Sequence, residues 1–491
     1  MKHGVIITLL VALLVIFAPL TACKQPMDKP SIPPSVPTYT VTFMANGGAP
    51  VPESQVISKD GKVTEPPAMN KDGYTFAGWY MEPENINQWN FSSNSVAGDI
   101  TLYAEWVTSV LVPGASLAAK LQWLNANVQS GGSYVMELTA DEGINPTTFS
   151  YSGKDNITIT IRGINSTRVI TLNTTGSMFT VESGVTLILD GNLELQGRSD
   201  NVVPLICVNS GGNLVLDVGT KITGNATYGY TSTSLGSGVY VSGGTLTING
   251  GEISSNYSWW GGGGVSISDG TVTMNNGILS NNKASSGGGV SLVKGTFTMN
   301  GGEISDNYGD WGGGIAITLG TFNMNKGKIS GNSGEKGAGV FISNGIFNMA
   351  DGKISNNTVN GSRGSPCCGS GLYVSNGIFN MNGGTISSNI IRTIYMIWGG
   401  GGVYMDNSIL RKNGGTIYGY EDDDTNSNKI FAFSPTGPVY DTPILNLGSA
   451  IYTAINNSSF IKRKETTSGP NDDLFYDSTV APPTWSGDWD Y

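Results

Sequence analysis

The titratable side chains of this 491-residue chain offer little material for catalysis. Its single histidine, His3, lies at the amino end, in a segment with the features of a removable export signal. Imidazole is the base of Ser-His-Asp and Cys-His sites and a common ligand of zinc and iron. Without it, we expect no catalytic triad, no histidine-bound metal and no cofactor.

Paired carboxylates are the second possible source of chemistry, because glycoside hydrolases use two acids about 5–9.5 Å apart. Glu252 and Glu303 stand at equivalent positions two repeats apart, with Ile278 between them and Lys328 and Lys353 following. Strands stack at about 4.8 Å, so the two carboxylates would be about 9.6 Å apart. Glu303 would lie closer to Lys328, and we predict an exposed ion pair there.

The remaining acids give no stronger site. Asp269, Asp306 and Asp310 do not share a register, and the run from Glu421 to Asp424 lacks the alternating oxygen ligands of a calcium loop. We therefore expect no catalytic residues, no metal site and no enzyme, with a β-helix polysaccharide lyase or hydrolase as the alternative function.

Aromatic residues form the more informative pattern. Trp260, Trp311 and Trp398 each stand directly before a glycine run that opens a repeat. The neighbouring segments add Trp259, Tyr257, Tyr308 and Tyr395. In stacked repeats the three indoles would line one edge, separated by roughly 10 and 14 Å. Exposed rings of this kind stack against sugars, so we predict a ligand-binding edge for glycans; alternatively, the indoles shield the backbone at the glycine corners.

A repeat between Gly236 and Gly419 positions these residues. Its first apolar residue returns about every 25 residues, and about every 31 in the last two copies. The copies begin at Val239, Val265, Val290, Ile315, Val340, Leu372 and Val403. A fixed period in this range indicates a repeat architecture. The longer copies carry extra residues at Thr358–Ser370 and Ile390–Trp398, on the side of the tryptophans, and insertions on one side often mark a binding face.

Within one repeat, apolar and polar residues alternate in three short stretches separated by glycine corners. Alternation with a period of two predicts short strands, and one coil of three strands cannot bury its own apolar face. The coils must therefore stack, which predicts an all-β fold, a right-handed parallel β-helix. From Tyr134 to Gly224 the pattern is less regular, and we expect nine registered coils with one or two more at the amino end.

Stacking places equivalent residues above one another, so each position predicts a ladder. One apolar ladder is Ile248, Met274, Met299, Met324, Met349 and Met381. A second is Ile253, Leu279, Ile304, Ile329, Ile354, Ile386 and Ile417. A polar ladder is Asn256, Asn282, Asn307, Asn332, Asn357 and Asn389, whose amides we expect to bond to each other at a corner.

The first residues resemble a bacterial lipoprotein signal. Lys2 precedes an uncharged run from Val5 to Phe17, and Leu20-Thr21-Ala22-Cys23 resembles a lipobox. The resemblance implies lipidation of Cys23 and, with Lys24 rather than Asp following, transfer to the outer membrane. A plain signal peptide with a chance cysteine is the alternative. Five prolines in residues 24–38 predict a semi-rigid tether.

Five short motifs follow in order: Tyr39–Phe43, Asn46-Gly47-Gly48, Gly73–Tyr80, Trp89-Asn90-Phe91 and Ile100–Trp106. Together they resemble the Listeria–Bacteroides repeat, also called the internalin B-repeat, of bacterial surface proteins. The resemblance implies a small β-grasp-like module that serves as a spacer or in adhesion. The whole stretch 107–491 resembles repeat-rich bacterial β-helix lipoproteins.

Ser116 begins a predicted helix with Leu117, Leu121, Leu124 and Val128 on one face, which we expect to cap the solenoid. After Tyr420 the repeat ends, and Ala450-Ile451-Tyr452 is a candidate last strand. The predicted divisions are the signal (1–23), the tether (24–38), the module (39–107), the linker and capping helix (108–132), the β-helix (133–420) and a carboxyl extension (421–491).

The net charge bears on which partners the chain can bind, and the cysteine content bears on disulfide bonds. The net charge of −11 and the absence of a basic stripe argue against nucleic acid. Cys23 is assigned to lipid, Cys207 to a strand, and Cys367 and Cys368 to a loop, which gives no disulfide framework.

We therefore expect a lipid-anchored protein of the outer membrane or cell surface that binds a glycan or a partner surface. A purely structural repeat protein is a further alternative.

Overall fold

A computed structural model describes residues 37–418 except 68, 72, 92–93, 229–235, 362–366, 394–396 and 400, together with 428–432, 451–454, 459–462, 474–476 and 485–486. These residues form a small amino-terminal β module followed by a parallel β-solenoid of about 11 turns. The predicted fold class is confirmed.

The module is a four-stranded mixed sheet with strands β1 (Thr38–Met44), β2 (Gln55–Ser58), β3 (Tyr74–Tyr80) and β4 (Ile100–Leu111) in the order β2-β1-β4-β3. The central pair β1 and β4 is parallel, and the outer pairs are antiparallel, an order that agrees with the β-grasp-like expectation. The core packs aromatic rings edge to face, with ring centres 5.0 Å apart for Phe43 and Trp79 and 5.3 Å for Phe76 and Trp106. The described residues of the module include no helix.

The module and the solenoid share a strand. β4 continues past residue 107 to Leu111 and pairs in parallel with β5 (Ser133–Leu138), the first strand of the solenoid. Three hydroxyl groups form hydrogen bonds where the module meets the solenoid. Ser133 Oγ donates to Thr75 Oγ1 at 2.6 Å, and Thr75 Oγ1 lies 2.5 Å from Ser109 Oγ. Backbone pairing across the boundary therefore fixes the module against the first coil.

Helix α1 (Leu117–Asn127) begins at the predicted N-cap Ser116, whose Oγ accepts the amide of Ala119 at 3.2 Å. Leu117, Leu124 and Val128 are fully buried and belong to the same apolar cluster as the solenoid interior. The helix therefore caps the core, as predicted, and covers apolar side chains that the first coil cannot bury by itself.

Each coil contributes strands to three parallel sheets. Sheet I carries two rows, and Val239–Ile248 and Val265–Met274 span both. The other strands of its first row are Thr147–Phe149, Phe179–Val181, Ile206–Asn209, Val290–Leu292, Ile315–Ile317, Val340–Ser343, Leu372–Ser375, Val403–Asp406, Ile451–Ala454 and Leu474–Tyr476. Those of its second row are Ser133–Leu138, Ile157–Gly163, Val185–Asp190, Asn213–Leu216, Thr296–Met299, Thr321–Met324, Ile346–Met349, Ile378–Met381, Ile409–Lys412, Ser459–Lys462 and Trp485–Ser486.

Sheets II and III complete the coil. Sheet II comprises Glu142–Ile144, Arg168–Leu172, Leu193–Gln196, Thr220–Thr223, Glu252–Ser254, Ile278–Ser280, Glu303–Ser305, Lys328–Ser330, Lys353–Ser355, Thr385–Ser387 and Thr416–Ile417. Sheet III comprises Ala226–Thr227, Tyr257–Ser258, Lys283–Ser286, Tyr308–Trp311, Ser333–Lys336, Thr358–Asn360, Cys367–Cys368, Ile390–Thr393, Ile397–Gly399 and Lys429–Ala432.

The predicted apolar ladders are confirmed. Met274, Met299 and Met324 pair in register and are fully buried, and so are Leu279 and Ile304 of the second ladder. The structure adds a stack of phenylalanines, Phe297, Phe322, Phe347 and Phe379, with ring centres 4.8–5.1 Å apart. Stacking at the strand spacing buries each ring completely.

The asparagine ladder is also confirmed, and it is completely buried. Asn307 represents its bonding: Oδ1 accepts the backbone amide and Nδ2 of Asn282 at 2.9 and 3.1 Å. Its own Nδ2 donates to the carbonyl of Leu279 at 2.9 Å and to Asn332 Oδ1 at 3.0 Å. The ladder extends beyond the prediction to Asn225 and Asn428. Every polar atom is paired, which removes the roughly 2–7 kcal/mol penalty of burying an unpaired amide.

The carboxyl end retains the solenoid register. The predicted strand at Ala450-Ile451-Tyr452 is present as Ile451–Ala454, which pairs with Val403–Asp406. It is not the last strand, because Leu474–Tyr476 pairs with it in turn. The second row continues likewise through Ser459–Lys462 to Trp485–Ser486. Sheet I therefore extends beyond residue 420, where the repeat phrase ends.

Candidate functional site

Sheet III forms an exposed aromatic edge, which we define as Tyr257, Trp259, Trp260, Tyr308 and Trp311. The three indoles are 40–43 % exposed, and the two phenol rings are half-buried. More than half of each indole surface is covered, so the predicted alternative, in which the indoles shield the backbone at the glycine corners, stays open for the covered part of each ring. Their exposed surface is available to a ligand.

Small residues occupy the inner position of sheet III in the coils near the aromatic edge. Ala284, Gly309 and Gly334 follow one another at this position. A Cβ on Gly309 would lie 2.8 Å from the carbonyl oxygen of Gly312 and 2.9 Å from the amide nitrogen of Gly288, so the backbone there leaves no room for a side chain. In the next two coils the same position holds Val359 and Ile391, which are fully buried. Close backbone packing therefore belongs to the coils around Gly309 and not to sheet III as a whole.

The two tyrosines of the edge share one ladder with a lysine between them. Tyr257 pairs with Lys283, which pairs with Tyr308. The Lys283 Nζ lies 5.0 Å from the centre of the Tyr308 ring. The preceding position of this ladder is Ala226, and the Tyr228 ring, two residues further on, lies 4.9 Å from that of Tyr257. The ladder therefore alternates aromatic faces with a cation along the solenoid axis.

The tryptophans occupy two registers rather than one. Trp311 pairs with Ser286 and Lys336 and stands four residues before Ile315. Trp260 stands five residues before Val265, because its glycine run has four members instead of three. Trp398 shares the longer spacing, and its strand Ile397–Gly399 joins sheet III, but its side chain and all of Tyr395 lie outside the description. The edge is therefore a patch two residues wide and not the single line that we predicted.

Polar groups surround the rings. Asp310 accepts hydrogen bonds from Ser285 Oγ at 3.0 Å and from the Tyr308 hydroxyl at 3.1 Å. Burial and the nearby Asp310 carboxylate raise the pKa of Tyr308 to about 12, so its hydroxyl remains a neutral donor at physiological pH. This arrangement supports stacking and hydrogen bonding, and it supplies no activated nucleophile.

The predicted insertions flank the same edge. Thr358–Asn360 and Ile390–Thr393 are strands of sheet III. Cys367–Cys368 is also a strand there, paired with Ile397–Gly399, and not the loop that we predicted. Burial explains the difference, because Cys368 is 1 % exposed and packs with Tyr373 and Tyr404.

The candidate acid pair is engaged in ion pairs on sheet II. Glu252, Ile278, Glu303 and Lys328 follow the predicted register. Lys328 Nζ lies 2.9 Å from Glu303, and Lys221 Nζ lies 3.0 Å from Glu252. The Lys328 hydrogen bond lowers the pKa of Glu303, which disfavours a role as a proton donor.

The other residues considered in the sequence analysis add no further site in the described part of the chain. Among the described residues, no group of three or more histidine, cysteine or acidic side chains could hold a metal ion. Cys207 is a free thiol in the strand Ile206–Asn209, and burial raises its pKa. Cys23 and the run from Glu421 to Asp424 lie outside the described residues.

Sequence reasoning missed one concave surface, a cleft between the module and the first coils of sheet I. Its acids, Asp190 and Asp217, continue the register of Asn249 backwards, as the sequence indicates from the turns at Asp190-Gly191 and Asp217-Val218-Gly219, but that register gave no sign of a facing wall. The overhanging wall belongs to a different domain, so no repeat pattern could indicate it.

The fold and the exposed edge together define a parallel β-solenoid repeat protein with an aromatic patch on one sheet. Residues 39–105 match the Listeria-Bacteroides repeat domain. Three relatives each match a limited part of this chain. A protein of Evansella cellulosilytica, whose name describes a Gly-rich membrane protein, is 42 % identical over 73 residues, 15 % of this chain and 8 % of the relative.

A second protein of that organism, named as a membrane protein, is 34 % identical over 106 residues, 21 % of this chain and 14 % of the relative. Internalin H of Listeria monocytogenes is 37 % identical over 73 residues, 15 % of this chain and 13 % of the relative. The chain thus matches about a tenth of the length of these relatives. The matches fit a surface repeat protein. No helix in the described part of the chain is long and apolar enough to cross a membrane.

Proposed function

We propose that this chain is a lipid-anchored surface protein that adheres to glycans through the aromatic edge of sheet III, without catalysis. The observation that carries the proposal is that three indoles on the sheet III side of the solenoid, Trp259, Trp260 and Trp311, are each 40–43 % exposed. Sugar rings present apolar faces to such indoles and hydroxyls to groups such as Asp310, Lys283 and Tyr308.

The rest of the chain serves to present this edge. The Listeria-Bacteroides module acts as a spacer, since β4 joins it to the solenoid without a flexible break. Cys23, followed by the proline-rich tether, attaches the amino end to the outer membrane or another cell-surface membrane. A Cys23→Ser variant expressed in cells should lose incorporation of labelled palmitate and leave the membrane fraction. Unchanged labelling would contradict the anchor.

Retardation of the full-length protein in native gels cast with different polysaccharides tests the binding. In the polysaccharide that slows the wild type, the variant Trp259→Ala/Trp260→Ala/Trp311→Ala should lose several-fold less mobility than the wild type does. The reason is that the variant has lost the indole surface on which the sugar stacks. Ile278→Ala removes an equally exposed apolar residue from sheet II and should change nothing.

Equal retardation of the triple variant and the wild type would place binding elsewhere. Unchanged wild-type mobility in every polysaccharide would favour the purely structural repeat protein. Clearing of the embedded polymer would favour the lyase or hydrolase alternative.

A further inference from the structure

A cleft of about 690 Å³ lies where the module overhangs the outer face of sheet I. The module contributes Tyr74, Phe76 and Trp106 to one wall, and the solenoid contributes Thr158, Thr186 and Asn213 to the floor. The volume falls within the range of sites for small organic ligands. Because shared strand pairing fixes the module to the first coil, the two walls are held at a constant distance.

The floor is a regular array of hydrogen-bonding groups. Thr158, Thr186 and Asn213 occupy one register position in successive coils, so their side chains repeat at about 4.8 Å along the solenoid axis. Within this row Asn213 Nδ2 donates a long hydrogen bond, 3.4 Å, to Thr186 Oγ1. Hydroxyl and amide groups so spaced match the succession of hydroxyls along an extended sugar chain.

The opposite wall supplies aromatic surface. Tyr74 is 43 % exposed, and Trp106 is half-buried, with its Nε1 donating to the carbonyl of Ala45 at 2.8 Å. Lys71 Nζ lies 4.4 Å from the centre of the Tyr74 ring. Ring faces opposite a row of hydroxyls and amides form the combination that holds a sugar by stacking on one side and hydrogen bonding on the other.

The charges that line the cleft select the type of sugar. Glu65, Asp190 and Asp217 contribute carboxylates, and Arg162 is the one basic residue among the described lining residues. Arg162 is already paired with Glu137 at 2.7 Å. Burial raises the pKa of Asp217, Asn249 opposes this by donating a hydrogen bond to its carboxylate, and Asp190 adds to the rise. Lys71 Nζ, over the Tyr74 ring, adds one positive charge at the rim, so three carboxylates outnumber this cation and the cleft stays net negative. A net negative site repels polyanions, so uronic acid and sulfated chains are disfavoured.

We infer that this cleft binds a neutral, linear oligosaccharide that lies along the solenoid axis between the aromatic wall of the module and the threonine–asparagine floor of sheet I. The site is separate from the aromatic edge, which belongs to sheet III, and it does not depend on the function proposed for that edge. The module then has a second role, as one half of a binding site.

Calorimetric titration of the full-length protein tests the inference. The probes are hexasaccharides of β-1,4-glucose, α-1,4-glucose, β-1,4-xylose, β-1,4-mannose and N-acetylglucosamine, with hexagalacturonate as the acidic comparison. At least one neutral hexasaccharide should bind, and hexagalacturonate should bind at least tenfold more weakly. Thr186→Trp fills the floor and should weaken binding at least tenfold.

Two further variants keep the result interpretable. Thr296→Trp places the same ring at the same register position of sheet I but outside the cleft, and binding should persist. Tyr74→Ala removes an exposed ring without touching the solenoid, and it should weaken binding even if Thr186→Trp folds poorly.

The triple tryptophan variant of the edge should bind the hexasaccharide like the wild type, which separates the two sites. The inference is overturned if no neutral hexasaccharide binds, if binding survives both Thr186→Trp and Tyr74→Ala, or if hexagalacturonate binds as tightly as the neutral probes.

Discussion

The inner corner and the outer edge of the same coils differ in how much the residue type varies from coil to coil. At the inner corner, every coil from Asn225 to Asn428 places an asparagine at one buried position. On the outer edge, one register position holds in turn Tyr257, Lys283, Tyr308, Ser333, Thr358 and Ile390. The outer residue directly follows the inner asparagine in each of these repeats.

Bonding between coils explains the contrast. An inner asparagine bonds to the asparagines of both neighbouring coils, so a change in one coil leaves buried groups unpaired in the others. An outer residue contacts its neighbours through ring faces and solvated charges and can vary without that penalty. The solenoid therefore keeps stability in its constant interior and is free to place binding chemistry on its variable surface.

The largest expected effect comes from breaking the inner ladder. Asn307→Ala removes the acceptor of the Asn282 backbone amide and the donor to the Leu279 carbonyl, both buried. Each orphaned group costs about 1–3 kcal/mol, so we expect a loss of about 3 kcal/mol or more in the free energy of unfolding. Urea denaturation followed by circular dichroism measures it.

A second asparagine ladder, formed by Asn275, Asn300 and Asn325, supplies the matched control. Asn300 Nδ2 donates to Asn275 and Asn300 Oδ1 accepts from Asn325, both at 2.9 Å, and the Asn300 side chain is half-buried rather than fully buried. Asn300→Ala should therefore cost less than about 1 kcal/mol. Equal losses in Asn307→Ala and Asn300→Ala would show that burial does not separate the two ladders.

A smaller effect is expected at the ion pair of sheet II. Lys328→Met should cost less than about 1 kcal/mol at pH 7, since both side chains are more than a third exposed. The pKa of Glu303 is lowered in the fold, so its contribution is present above its unfolded pKa and disappears as the pH falls through the folded value.

The pH dependence of unfolding checks this prediction. Lys353→Met, one coil further on the same ladder, removes a lysine that neighbours another lysine and should leave stability unchanged or slightly raised. A loss in Lys328→Met that persists at low pH would exclude the ion pair as its source.

The smallest effect is a gain. Burial raises the pKa of Asp217, so its charged form is disfavoured in the folded protein. Asp217→Asn removes that charge and keeps an oxygen for the Asn249 amide, which lies 2.8 Å from the Asp217 carboxylate. We expect a slightly higher melting temperature at pH 7, and a difference that declines as the pH falls below the folded-state pKa of Asp217 and is gone below its unfolded-state pKa. A lower melting temperature at pH 7 would contradict it.

The sequence alone predicted the strands and ladders in the part of the chain that repeats. Val239 to Ile417 could be placed in strands and ladders because each copy confirms the register of the others. Ser116 and the apolar face from Leu117 were sufficient for the capping helix. The phenylalanine stack was missed. Beyond residue 420 the sequence predicted the strand at Ile451 but not the later strands of sheet I, because the repeat phrase ends there.

The candidate sites were less predictable. The aromatic edge was visible as tryptophans before glycine runs, but its register depended on whether a run has three glycines or four. The cleft was not visible at all, because Tyr74 and Thr186 belong to separate domains that only the continuation of β4 brings together.

Hydroxyl-radical footprinting of the full-length protein, with and without each gel polysaccharide, tests the proposed edge most directly. The account predicts that the polysaccharide that retards the protein lowers oxidation of Trp259, Trp260 and Trp311 several-fold. Oxidation of Tyr240, on the outer face of sheet I, should not change. Equal oxidation of the three indoles with and without every polysaccharide would contradict the assignment of sheet III as the binding surface.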